Sequence, residues 1–158
     1  MPRDTRATDL GIRIGRFTPG PTDGITDVTG VRVAATTIIK GDGALKRGVG
    51  PIRTGVTAIL PRGKTKAPSP IWAGHYNLNG NGEMTGTHWI DDAGYMIGPV
   101  CITNTHGIGA VHHGASRWMT QHYADFDVQV RAVLGPDHDP FAEAGAFLDT
   151  LFTRLLVP

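Results

Sequence analysis

The chain has 158 residues, with 15 Lys and Arg against 14 Asp and Glu, 22 glycines, 11 prolines and one cysteine. At 40% hydrophobic and 18% charged residues it is too apolar for disorder and too mixed for membrane spans; its glycine and proline content, roughly a fifth against the usual ~12%, argues against a long all-helical architecture. A formal charge of +1, with no Lys/Arg cluster interleaved with aromatics, excludes nucleic acid as the expected partner.

In chain order, residues 18–30 are turn chemistry rich in Gly, Pro and Asp. Val31 to Ile39 is β-branched and partly alternating, which predicts a strand, and Gly55 to Leu60 predicts another; both are expected to be half or fully buried. Pro68-Ser69-Pro70 introduces a third predicted strand, Ile71 to Leu78, ending at Asn79-Gly80-Asn81-Gly82, where two Asn-Gly steps call for a tight, left-handed backbone. Residues 85–97 predict a short helix capped by Thr85 or Thr87, with Trp89, Ile90, Ala93 and Met96 at helical spacing. Pro99 to Thr103 predicts a fourth strand. Val111, Ala115, Trp118 and Met119 recur at three or four residues, so a helix is expected over 108–124. In the tail, Asp139-Pro140 is a good cap pair ahead of an apolar stripe from Phe141 to Leu155, which predicts an amphipathic helix.

Several patterns invite chemistry that their surroundings refuse. Ala58 to Thr65 fits a relaxed phosphate-loop pattern, but Pro61 removes a donor and Lys66-Ala67-Pro68-Ser69-Pro70 cannot continue as a helix; an exposed turn is expected instead. Gly80-Asn81-Gly82-Glu83-Met84-Thr85-Gly86 nearly reads as a dinucleotide fingerprint, yet Glu83 puts negative charge where pyrophosphate would sit. The same carboxylate on a narrow glycine loop suits a substrate ammonium group; the plainer alternative is a residue in the first turn of the next helix, favourable with its dipole. The seven His show no metal-ligand spacing, and His112 with Ser116 has no nearby acid to orient the imidazole. Cys101 reads as a small buried residue, with a thiol-dependent hydrolase as the remote alternative. Ser69 and Ser116 are the only serines, and neither sits on a nucleophile elbow. The N-terminus lacks an apolar core that would make it a secretory signal, and one cysteine cannot make an internal disulfide, so a cytoplasmic location away from membranes is expected.

Longer colinear stretches are more specific. Thr18 to Val31, Gly50 to Pro61, Asn79 to Thr87 followed by Trp89-Ile90, and Ile102-Thr103-Asn104-Thr105-His106 together resemble the N-terminal, α-chain part of the self-processing aminopeptidase family of L-aminopeptidase/D-amino-acid esterase and the β-peptidyl aminopeptidases. The resemblance implies an α/β fold, part of a four-layer α-β-β-α sandwich that is incomplete in this chain. It implies a hydrolase made as a precursor that cuts itself before a serine or threonine, which then acts as an N-terminal nucleophile with its own α-amino group as base. It also implies homo-oligomers, no metal or other cofactor, and small peptide, amide or ester substrates with a free amine. Carried over by position, Asn81, Gly82 and Glu83 form the loop that holds the substrate ammonium, Tyr95 helps stabilise the oxyanion, and Thr103 to His106, with Thr105 and His106 foremost, line the pocket from a strand end.

The departure begins near residue 124. No Gly-Ser or Asn-Ser pair occurs, and residues 125–158 differ from the continuation the resemblance implies, so the expected division is an aminopeptidase-like portion 1–124 and a divergent tail 125–158. The apolar ending suggests a truncated or frameshifted product. The expectation is a fragment of a serine-type aminopeptidase precursor that carries the substrate-amine loop, lacks the nucleophile-bearing chain and is inactive alone. The alternative is a non-catalytic module binding small amines or peptides, with the tail helix as an interaction surface.

Overall fold

The computed structural model describes residues 5–123. In chain order its elements are β1 (Arg32–Lys40), β2 (Ile52–Leu60), β3 (Ile71–Trp72), α1 (Thr87–Ala93), β4 (Tyr95–Met96), β5 (Val100–Thr103) and α2 (Ile108–His122), with short 3-10 turns at Ala7–Leu10, Ile25–Asp27 and Thr105–Gly107. The tail helix expected from Phe141 onward lies outside the described residues.

The β-branched run of β1 finds its partner in β2, antiparallel from Arg32 opposite Leu60 to Lys40 opposite Ile52. β5 joins the other edge of β2, with Val56 opposite Thr103 and Ala58 opposite Cys101, so the sheet order is β1-β2-β5. Close approach decides one position in this ladder: Gly55 lies opposite Thr37, and a Cβ on it would stand 2.5 Å from the Thr36 carbonyl oxygen. The loop joining the two long strands is gathered at its base by Arg53. Its guanidinium donates to the carbonyls of Lys40 at 3.1 Å, Ile52 at 2.7 Å and Gly41 at 2.9 Å, and to the Asp42 carboxylate at 3.2 Å.

Burial departs from expectation. β2 is half-buried along most of its length, but every residue of β1 is exposed, Ile39 at 67%. β1 is an edge strand whose extensive contacts among the described residues are to β2 alone. The ladder satisfies its backbone groups on one side without covering its side chains. One face of the sheet does receive α2, which starts one short turn after β5 and packs back on it. The end of that helix is anchored by aromatic contacts: His122 stacks on Trp118 at 4.5 Å, and Tyr123, only 3% exposed, meets Trp118 edge-on at 5.5 Å. Such offset or edge-on arrangements suit the ring quadrupoles.

After β2 the chain makes the expected turn rather than a phosphate loop: the Gly63 N–H donates to the Leu60 carbonyl at 3.0 Å, and no α-helix begins before Thr87. Residues 71–96 then fold as a second, smaller unit. The third strand is shorter than expected, Ile71–Trp72 in place of 71–78, because its partner runs out: the Ala73 N–H still donates in register to the Gly94 carbonyl at 3.0 Å, but Gly94 already closes α1 and no strand precedes it. β3 pairs antiparallel with β4, Ile71 opposite Met96 and Trp72 opposite Tyr95. Between them α1 starts at Gly86, left-handed at φ 83°, instead of being capped by Thr85 or Thr87. Gly94, at φ 73°, donates its N–H to the Ile90 carbonyl at 2.8 Å and ends the helix, so Met96 falls on a strand and not on the helical stripe. Ile90 is the buried anchor of this unit at 7% exposure.

Candidate functional site

The loop between β3 and α1 carries Asn81, Gly82 and Glu83. Its tip is shaped by a side chain: Asn79 Oδ1 accepts the Asn81 N–H at 3.0 Å, an Asx turn that folds the backbone without left-handed residues. The tight, left-handed geometry expected at the two Asn-Gly steps is therefore absent there and found at Gly86 instead. Glu83 lies four positions before the first residue of α1, outside its first turn, which holds no acidic residue. That removes the helix-dipole reading of this carboxylate. Glu83 is exposed and has no hydrogen-bond or ion-pair partner among the described residues.

Tyr95 stands on β4, just past the far end of α1. It is half-buried and meets Trp89 of α1 edge-on, ring centroids 5.5 Å apart at 89°. The loop and Tyr95 thus belong to one closed unit, in which β3–β4 pairing and the short helix join the two ends. Thr105 and His106 belong elsewhere. Both are exposed in the turn between β5 and α2, and no hydrogen bond or ion pair among the described residues links them to the Glu83 loop. Their two predecessors are committed to structure. Thr103 Oγ1 donates to the Gly55 carbonyl at 3.0 Å; Asn104 Nδ2 donates to Thr54 Oγ1 at 2.8 Å while its Oδ1 accepts the Gly107 N–H at 3.0 Å. These bonds fix the β2–β5 end from which Thr105 and His106 project.

A cleft of about 400 Å³ opens between α2 and the sheet, lined by Val56, Ala58, Leu60, Cys101, Val111 and Trp118 among others. It contains none of the predicted site residues, and its walls offer no charge to hold an ammonium group. Cys101 on its wall is half-buried, and desolvation pushes its thiol above the ordinary cysteine range. Since the thiolate is the nucleophilic form, the surroundings act against a thiol-dependent hydrolase. Among the described residues no three His, Cys, Asp or Glu side chains converge as a metal site, and no helix is long and apolar enough to cross a membrane.

One contact in the second unit had no signal in the sequence pattern. His75, at the start of the loop, places Nδ1 3.3 Å from Asp91 Oδ1 on α1. Residues sixteen apart, one in irregular chain and one on a helix, share no periodicity that would pair them.

With this geometry in place, the similarities to other proteins become informative. Residues 23–139 match peptidase family S58. Over 114 residues the chain is 49% identical to a β-peptidyl aminopeptidase, BapA, of Sphingosinicella microcystinivorans, a match covering 72% of this chain and 28% of that protein. The solved L-aminopeptidase D-Ala-esterase/amidase from Ochrobactrum anthropi, described as a prototype for the serine aminopeptidases and a variant of the Ntn hydrolase fold, superposes with a TM-score of 0.67 at 53% identity, covering 76% of this chain and 32% of that one. A β-aminopeptidase from Burkholderia sp. gives 0.63 at 45% identity, over 74% and 32% of the two chains. The α/β arrangement of sheet and helices is thus that of one part of these larger folds, and the chain spans a little over a quarter of the length of the curated relative it matches. On a family match that takes in both the 71–96 unit and the three-stranded sheet, the chain belongs to peptidase family S58.

Proposed function

We propose that this chain furnishes the amine-recognition part of a serine-type aminopeptidase or amidase that releases N-terminal residues from small peptides, amides or esters. The observation that carries the reading is Glu83, a carboxylate exposed on a shaped loop within the family segment, with no cation spent on it among the described residues. A primary ammonium group brings three donors and a full charge to such an acceptor, and a charge-assisted bond of this kind is about twice as strong as a neutral one. Tyr95, across the same unit, supplies a phenolic hydroxyl suited to a developing oxyanion. The nucleophile comes from polypeptide other than these residues, as an N-terminal serine or threonine released by self-processing. Ser69 lies between prolines and Ser116 lies within α2, neither at a chain terminus.

The 158-residue chain alone is therefore expected to leave aminoacyl p-nitroanilides uncleaved, yet to bind a primary-amine probe such as β-alanine amide, with backbone resonances of residues 79–86 shifting on titration. The N-acetylated probe is expected not to bind. Glu83→Gln is expected to weaken amine binding about tenfold, the equivalent of roughly 1.4 kcal/mol. Turnover by the chain alone would overturn the division of labour, and unchanged affinity in Glu83→Gln would overturn the role of the carboxylate.

A further inference from the structure

The loop that carries Glu83 has few internal constraints. Between residues 76 and 86 the Asx turn at Asn79 is the only side-chain hydrogen bond among the described residues. Its placement relative to α1 must come from its ends. On one side the β3–β4 pairing runs on in register through the Ala73 N–H to Gly94 carbonyl bond at 3.0 Å, and on the other the Gly86 carbonyl accepts the Ile90 N–H of α1 at 3.2 Å. Between Ala73 and Gly86 no backbone hydrogen bond among the described residues joins the loop to α1 or β4. The third tie is further along and is made by side chains, where His75 Nδ1 approaches Asp91 Oδ1 to 3.3 Å.

Its environment makes this pair more than a surface contact. The His75 side chain is only 17% exposed, and its Nδ1 is shut off from solvent without a well-directed hydrogen bond. The 3.3 Å separation brings the imidazole edge and the Asp91 carboxylate into direct contact. A buried polar atom left without a partner is costly, and Asp91 Oδ1 is the polar group the fold places 3.3 Å away, where a small turn of the ring relieves that cost. Asp91 itself is 66% exposed, which screens the pair and keeps its effect moderate.

We propose that the His75–Asp91 pair is a clasp that positions the amine-binding loop, locking its first residues onto α1 and thereby setting where the Glu83 carboxylate stands. The proposal rests on the reading of Glu83 given above. His75 is a positioning residue and has no direct contact with substrate. The clasp acts two residues beyond the last β3–β4 backbone bond, at Ala73, and it sits on the helix whose buried Ile90 anchors the unit.

The test follows amide hydrogen exchange in the full chain and, in parallel, titration with β-alanine amide. In His75→Gln and in Asp91→Asn, exchange at residues 76–86 is expected to rise about threefold while exchange in β1 and β2 stays unchanged, and amine affinity is expected to fall by a similar factor, about what an exposed-side ion pair supplies. Asp91→Glu, which keeps the charge, is expected to restore both; a role in bulk packing alone would not separate Asn from Glu here. Asp91 is exposed, so its variants keep the test decisive should His75→Gln fail to fold. Unchanged exchange in Asp91→Asn would overturn the clasp, as would faster exchange with amine affinity untouched. Glu83→Gln separates the two claims. It is expected to leave loop exchange as it was, so its failure to weaken amine binding refutes the role of Glu83, while the exchange data still decide whether the clasp exists.

Discussion

The two parts of the described chain are held together in opposite ways. The three-stranded sheet with α2 depends on backbone: β1 and β2 pair along their whole length, and their side chains contribute so little cover that every residue of β1 is exposed. The 71–96 unit has a ladder of only two residue pairs and relies on side chains: Ile90 on the buried face of α1, Trp89 against Tyr95, His75 against Asp91. The first is a scaffold that tolerates changes of surface residue but not of backbone spacing. The second, which carries Glu83, is sensitive to single side chains. On the proposed reading, a recognition loop placed on the second kind of structure is adjustable by mutation with little effect on the sheet.

The sharpest way to break this comparison is at Gly55. Gly55→Val puts a side chain where only 2.5 Å separates the Cβ position from the Thr36 carbonyl oxygen, and is expected to destabilise the sheet by about 3 kcal/mol, seen as a lower urea midpoint. Glu83→Gln should do the reverse, costing about tenfold in amine affinity with an unchanged midpoint. A smaller effect is expected at Cys101. With its thiol pushed up by burial, reaction with a disulfide reagent at pH 8 should be severalfold slower than that of free cysteine, and should accelerate once urea lifts α2 from the sheet.

The smallest effect is expected in the turn before the sheet. The Thr22 hydroxyl, then the Gly24 and Thr22 N–H groups, hold the Asp27 carboxyl below its ordinary value of 3.8. A carboxyl whose folded value is depressed contributes stability that is present above the unfolded value and lost as pH falls through the folded one. Amide protection at Thr22 and Gly24 is therefore expected to be intact at neutral pH and to fade below about pH 4.

Local patterns told much of this in advance, and where they failed the reason is physical. β1, β2, β5 and α2 were legible because each is a continuous run whose periodicity matches its element. β3 was overextended because nothing local shows that its partner strand ends at Gly94, where α1 closes, so the pairing stops one position past Trp72. The start of α1 was misplaced because two threonines offered better caps than the left-handed Gly86 that is used. Burial of β1 was overestimated because β-branched composition reports a preference for pairing and does not say what lies on the faces. At the site, the loop was visible as glycine and asparagine, and the ammonium reading of Glu83 could be framed from its charge but was preferred to a helix-capping role only through resemblance to a family; the His75–Asp91 contact left no trace in the sequence pattern.

The Arg53 fork has a consequence for how the polypeptide is connected. By gathering the carbonyls of Lys40, Gly41 and Ile52 at the foot of the loop, it closes the hairpin from below. The residues from Gly43 to Val49 then serve mainly as a covalent tether, since the strands on either side stay in register through the ladder and this guanidinium. Opening the chain between Gly43 and Leu45, ahead of the small Lys46–Gly50 bridge, is accordingly expected to leave two polypeptides zipped along β1 and β2.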